Sequence, residues 1–562
     1  MMARLQKIGV PLHAVCICAG EHIVEGGEDY WIAASSGKPG MLYMIRIRTG
    51  ECVHQTVLED SHYIWGVVRA ADGLVYTGGS GVVYRFDPSL RKLERLGTAI
   101  EGETYFWRFA ADDAGRVFGG TYPGGKVWEW NIADRSFRDW GTILEGCQYA
   151  RSMAVQGERL FVGLGTVQPR LAELNLRTGA KKEIPLPDDV RGDSIVYDLD
   201  TAGDKLFVRV SPSNRFYMYD PVRDKWTYLC DRAIGLEISA PDEAGGVYMA
   251  RETGLYRIDP ESATVTATGF ALPGAVKRFA WVRATIRDGK ASFAGDGSDP
   301  LVLAGLNTDG SYWLFDPATK QSAMVEISLK GQPVVVQSLT QDGQGNVYIG
   351  GYFAGGLGVY DSINDKLTEY RGIGQIENMT FHRGKLYMGV YTKARLYVYD
   401  PERPWETDVN PRLLRTLGER GQDRPFGIAS AGNYVALGTV PEYGRLGGGL
   451  FLYDPERDEL EAYPNLIREQ SIVCLLYRDG VLYGGTSVWG GLGVSPTQTE
   501  AFVFAWDVER RALKWQTAPV PGARAVTSLA FGPDGMLWGM TAGKLFRLNP
   551  SDGATSGTFE LV

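Results

Sequence analysis

The chain has 562 residues, more than one hydrophobic core ordinarily supports, so two or more domains are expected. Hydrophobic residues make up 44% and charged residues 22%, the balance of a globular protein, and no run of about twenty apolar residues offers a transmembrane helix. A net charge of −9 with no Lys/Arg run argues against a nucleic-acid groove.

Glycine is abundant at 72 residues, which points to many tight turns and hence many short strands. Aromatic residues, at 11%, suit a pleated surface. At the N-terminus, Arg4 and Lys7 precede an apolar stretch running to Cys18 that imitates a signal peptide. Pro11 and His13 interrupt it and no small-x-small cleavage site is clear, so the segment reads as the first strands of a repeat and the chain as cytoplasmic, with export the alternative. The six cysteines, Cys16, Cys18, Cys52, Cys147, Cys230 and Cys474, are scattered and contain no C-x-x-C pair. Cys16 and Cys18 would share one face of a strand, a poor disulfide geometry, and free thiols are expected. No Cys/His spacing suggests a metal site, and no cofactor is expected.

From residue 46 onward one turn recurs. A large apolar residue is followed by Asp or Asn, often by Pro, then by a short polar stretch and a strand. It reads Phe86-Asp87-Pro88, Tyr219-Asp220-Pro221, Ile258-Asp259-Pro260, Phe315-Asp316-Pro317, Tyr399-Asp400-Pro401, Tyr453-Asp454-Pro455 and Leu548-Asn549-Pro550. Versions without Pro occur at Asn131, Asn175, Asp361 and Asp507. The side-chain oxygen accepts a backbone N–H two residues on, and Pro presets φ. Between turns the chain repeats four short strands, and the second ends in glycine, as in Tyr76-Thr77-Gly78-Gly79 and Phe118-Gly119-Gly120. A glycine there lets neighbouring backbones approach.

About twelve units of this kind are counted, and a four-stranded unit repeated in this way predicts an all-β fold of propeller blades. Twelve exceeds one ring, so two propellers are expected, six plus six or five plus seven. The unit from about 275 to 329 carries an insertion, which puts the expected domains at 1–272 and 273–562. The segment from Arg4 to Gly9 resembles a fourth strand that could complete a distant blade.

The repeat resembles the pyrroloquinoline-quinone-like and WD-type propeller repeats over nearly the whole chain, without the Gly-His and Trp-Asp signature of true WD repeats. Such repeats specify a fold and say little about activity.

A site is sought where the repeats differ, at the loops leading into each first strand and those joining the second and third. In the second to fifth units these place rings and cations together: Tyr63, Trp65, Tyr105, Trp107, Arg108, Tyr122, Lys126, Tyr149, Arg151 and Tyr197, with His62 beside them. Sugar C–H faces stack on Trp and Tyr, and guanidinium pairs with carboxylate, so the expected partner is an acidic oligosaccharide or polysaccharide. Architecturally the chain is similar to the propeller polysaccharide lyases that act on oligogalacturonate, ulvan and rhamnosyl-glucuronate. That resemblance implies β-elimination, for which Arg108 and Arg151 would neutralise the uronate carboxylate and Tyr149 or His62 would serve as base and acid. Trp65, Trp107 and Tyr122 would hold the sugar. The alternative is a non-catalytic propeller binding a glycan or protein, with each ring and arginine packing one blade on the next. Glu237 and Glu377 read as inter-blade partners, with metal ligation the alternative.

Overall fold

The computed structural model describes residues 8–235 and 237–561. Among these, strands assemble into twelve four-stranded antiparallel sheets, two of them joined through the single pair Gly165 and Ile195. They are numbered here as blades 1 to 12 in chain order. No helix is long and apolar enough to cross a membrane among the described residues.

Each blade is built by local sequence. In blade 2 the strands Gly66–Arg69, Val75–Gly79, Val82–Asp87 and Lys92–Thr98 follow one another as hairpins. The recurrent Asp turn connects the third strand to the fourth. Asp87 accepts the N–H groups of Ser89 at 2.9 Å and Leu90 at 3.0 Å, and Asp220 and Asp316 repeat the pattern. Four residues after the Asp or Asn, the chain turns left-handed, at Arg91 (φ 52°) in blade 2 and Gly553 (φ 74°) in blade 12.

The glycines ending the second strand act as expected. A Cβ on Gly120 would sit 2.0 Å from the carbonyl oxygen of Ala150 in blade 4, and one on Gly165 would sit 2.2 Å from that of Ser194 in blade 5.

The chain divides into two compact units, one of residues 14–332 and one of the N-terminal residues to His13 together with 333 onward. The division falls at Gln332, not at the expected 272. The insertion that suggested a junction is a hairpin, Thr285–Arg287 with Lys290–Ser292, set between the first and second strands of blade 7. It interrupts a blade and does not end a domain.

The first unit holds blades 1 to 7 as a closed ring. Seven hydrophobic clusters fill its seven interfaces. The closing interface packs Trp31, Tyr43 and Ile45 of blade 1 on Leu306, Tyr312 and Leu314 of blade 7. There the Tyr312 hydroxyl donates to the Ile47 carbonyl, and Ile17 N–H donates to the Thr308 carbonyl at 2.7 Å. Every blade of this ring is completed by four strands from its own stretch of chain, with the 285–292 hairpin set within blade 7. Arg4 to Lys7, expected to finish a blade, lie outside the described residues.

The second unit holds blades 8 to 12. Four clusters join the five sheets in sequence, and among the described residues none joins blade 12 to blade 8. Leu339, on the first strand of blade 8, is 61% exposed. This division is seven blades and five.

Candidate functional site

The first strand of each blade lines the ring's central channel, and in most of them the ladder is irregular at one place. In blade 4, Ala150 faces Leu164 and Ser152 faces Gly163, leaving Arg151 as an extra residue. In blade 5 the extra residue is Tyr197, in blade 1 Cys18, in blade 7 Lys277. In blade 3, Trp107 and Arg108 stand between Phe106 and Phe109, opposite the single residue Gly120. Trp65 stands at the corresponding place just before the strand Gly66–Arg69. Such a bulge frees a residue from the alternation of the strand and re-aims its side chain.

These re-aimed residues meet. The guanidinium carbon of Arg151 lies 4.2 Å from the centre of the Tyr197 ring, 4.9 Å from Trp107 and 5.2 Å from Trp65. Trp107 packs against Tyr149 with ring centres 5.2 Å apart, and Tyr149 stacks on Tyr122 at 4.8 Å. Tyr105 stacks on Trp107 at 6.1 Å and adjoins Tyr63 at 5.4 Å. Eight of the residues singled out from the sequence therefore form one cluster: Tyr63, Trp65, Tyr105, Trp107, Tyr122, Tyr149, Arg151 and Tyr197.

Within it Arg151 is distinctive. It is 3% exposed, and among the described residues it has no carboxylate partner and its Nη2 is buried without a hydrogen bond. The indole Nε1 of Trp107, whose ring faces that guanidinium, is also buried without an acceptor. The guanidinium carbon of Arg209 lies 4.7 Å from the same Tyr197 ring centre.

Arg108 has a different role from the one expected of it. Its guanidinium lies 2.8 Å from Asp200, 3.0 Å from Glu237 and 3.8 Å from Asp198. Glu237 in turn lies 2.6 Å from Arg278, which pairs with Glu21 at 2.5 Å, and Arg209 pairs with Asp198. The bulge accounts for the difference: of the two consecutive residues that face one partner, Trp107 joins the rings and Arg108 joins the charged belt. Arg108 is thus engaged by protein carboxylates and is not a free neutraliser of a substrate. Glu237 is the inter-blade partner it was read to be.

Four carboxylates (Glu21, Asp198, Asp200, Glu237) meet three guanidiniums (Arg108, Arg209, Arg278) in this belt. Burial, reinforced by Glu237 and Asp198 and opposed by Arg108, pushes Asp200 up to about 7. Burial likewise raises Glu237, against Arg278 and Arg108. Arg108 is held above its ordinary value by Glu237, Asp200 and Asp198 despite its burial. The belt borders a cavity of about 500 Å³ to which all seven first strands or their approaches contribute, among them Glu21, Val67, Ala110, Ala154 and Asp200.

Two expected residues stand apart. Among the described residues, the backbone N–H of His62 donates to the Ser80 hydroxyl and its carbonyl accepts from Gly37 N–H, and its ring joins none of these aromatic contacts. Lys126 lies 3.6 Å from Asp139 on the next strand of its own blade. Sequence reasoning missed Glu21, Asp198, Asp200 and Arg278. The available signal was Tyr197-Asp198-Leu199-Asp200, an acidic alternation on a first strand that should otherwise be apolar. Among the described residues no group of three or more His, Cys, Asp or Glu could hold a metal ion.

In the second unit Glu377, the extra residue of blade 9, has a fully buried side chain that accepts from Arg424 at 2.7 Å, Gln337 at 2.7 Å and Gln375 at 3.0 Å. It too links blades.

By architecture the chain is a multi-blade β-propeller protein. No family model and no curated protein matches it. Among solved structures it is similar to PorZ, a bacterial surface component of the type-IX secretion system of Porphyromonas gingivalis, at 12% identity and a TM-score of 0.39, over 98% of this chain and 76% of that one. It is similar also to the extracellular domain of a one component system of B. thetaiotaomicron, at 12% identity and a TM-score of 0.33, over 97% of this chain and 73% of that one. Similarity at this level extends neither to activity nor to ligand.

Proposed function

We propose that the ring of blades 1 to 7 binds an acidic saccharide at its aromatic cluster, with Arg151 as the anchor for a carboxylate. The observation that carries this reading is Arg151 itself, buried among three rings and, among the described residues, unpaired with any carboxylate and with Nη2 unsatisfied. An unsatisfied buried donor costs about 1–3 kcal/mol, which a ligand acceptor would return. Both orphaned groups, Arg151 Nη2 and Trp107 Nε1, are donors, so their complement is a group made of acceptor oxygens. Tyr and Trp rings beside them offer the faces on which pyranose C–H bonds stack.

The test is calorimetric titration with hexuronate oligosaccharides and with their carboxyl-reduced, neutral counterparts. The expected result is binding of the acidic form at least tenfold tighter, with Arg151→Met abolishing that preference. Equal binding of both forms, or an unchanged preference in the variant, overturns the reading.

A second reading is that the bound uronate is cleaved by β-elimination. What favours it is Tyr149, whose ring packs on the same Trp107 that Arg151 faces. With its carboxylate neutralised by Arg151, a uronate loses its C5 proton to a Tyr149 phenolate, the C4–O bond breaks, and the resulting Tyr149 phenol returns a proton to the leaving oxygen. The conjugated unsaturated product absorbs in the ultraviolet. Product formation by the wild type and its loss in Tyr149→Phe, with binding retained, is the expected pattern. Binding without product leaves a non-catalytic saccharide-binding propeller.

A further inference from the structure

The extra residue of blade 1 is Cys18, and the irregularity that re-aims it brings its sulfur to 3.8 Å from that of Cys16. Two residues apart on a regular strand, the two Cα atoms would stand about 6.6 Å apart with parallel side chains. The kink converts a poor pair into touching thiols. Cys18 is buried, while Cys16 is partly exposed. The Ser36 hydroxyl donates to the Cys18 sulfur at 3.2 Å and itself accepts the N–H of Ile64 at 3.0 Å. Ile64 immediately precedes Trp65, one wall of the Arg151 box.

We propose that Cys16 and Cys18 form a redox-active dithiol, which a peroxide converts to an intramolecular disulfide, and that Ser36 transmits the change to Trp65. The Cys18 thiolate attacks one peroxide oxygen and the O–O bond breaks, giving a Cys18 sulfenic acid and, after protonation of the leaving oxygen, water. The Cys16 sulfur then attacks the Cys18 sulfur. The S–S bond forms, the S–O bond breaks, and the departing hydroxide leaves as water with the Cys16 proton. Two thiols and one hydrogen peroxide give one disulfide and two waters, and a small dithiol reductant reverses the change.

The surroundings select Cys18 as the nucleophile. The hydrogen bond from Cys16, helped by Lys277 and Ser36 and opposed by burial, brings it down to about 7. Burial moves the other thiols the opposite way, Cys230 to about 11 and Cys474 to about 12, with Cys52 and Cys147 also raised. Once Cys18 is in a disulfide it is a poorer acceptor for the Ser36 hydroxyl, and the contact that fixes Ile64 loosens.

The experiment uses the full chain with a stoichiometric amount of hydrogen peroxide. Titratable thiols under denaturing conditions are expected to fall from six to four. Peptide mapping is expected to join Cys16 to Cys18, and dithiothreitol to restore both thiols. Cys16→Ser is expected to stop at a dimedone-reactive sulfenic acid on Cys18. Oxidation is expected to alter tryptophan emission in the wild type, and the alteration to vanish in Trp65→Phe. A Cys16–Cys18 pair that stays reduced while other cysteines oxidise overturns the dithiol. A disulfide that forms with the same emission change in Trp65→Phe overturns the transmission. Neither outcome bears on the saccharide reading, which Arg151→Met tests separately.

Discussion

Replacing Arg108 by Met tests whether this arginine holds the ring together, as its three carboxylate neighbours imply. The change removes the guanidinium within 4 Å of Asp198, Asp200 and Glu237 and leaves four carboxylates facing two guanidiniums. Breaking a buried pair from one side costs about 3–5 kcal/mol. At about 2 °C per kcal/mol for a large domain, the melting temperature should fall by about 6–10 °C at pH 8. The loss should itself depend on pH. Arg108 opposes the upward push on Asp200, so without it the folded value rises further above the unfolded one. A carboxyl whose folded value is raised contributes stability that is complete at low pH and is lost as pH rises through the folded value. The wild type already holds this proton below about pH 7, so the two proteins differ by one proton over about one pH unit up to pH 8, and about 1.4 kcal/mol of the deficit should be regained at pH 5. Calorimetric melts of wild type and Arg108→Met at both pH values measure this. A fall below 2 °C at pH 8, or an equal fall at both, refutes the belt as the role of Arg108.

Three further outcomes follow from the same geometry. Asp200→Asn removes the group that is pushed up to about 7, so its melting temperature should vary less between pH 5 and 8 than that of the wild type, and parallel profiles would contradict the assignment. Gly120→Ala drives a Cβ to 2.0 Å from the Ala150 carbonyl, whereas Gly26→Ala meets nothing within 4 Å and strains only a φ of 61°. Denaturant midpoints should show the first costing about 1–3 kcal/mol more than the second. Lys126→Ala and His62→Ala, both apart from the ring cluster, should leave acidic-saccharide affinity within twofold in the titration that reads Arg151→Met.

The fold was legible because its signals are local. An Asp87 that accepts Ser89 and Leu90 N–H groups writes its turn within four residues, and the turn recurs once per blade. The ring cluster was legible because the residues before each first strand occupy matching places in successive blades. What separates Arg108 from Arg151 was not legible. Both are arginines in a bulge, but the partners of Arg108 lie in blade 5 and at Glu237, far away in sequence, and the register shift that sends neighbours Trp107 and Arg108 to different layers leaves no mark on composition. The division into seven and five was hidden by the hairpin at 285–292, which looks in sequence like a boundary and is a decoration within one blade.

The extra residues at the heads of the first strands have a consequence for how such a ring can change. Arg151, Tyr197, Cys18 and Lys277 have no partner across the ladder. Each can therefore be exchanged without disturbing a register or a turn. The blades supply a fixed frame, and under the saccharide reading what the ring recognises would be written at these positions one residue at a time. A lineage carrying this fold can rewrite its recognition while the hydrogen-bonded scaffold beneath stays as it was.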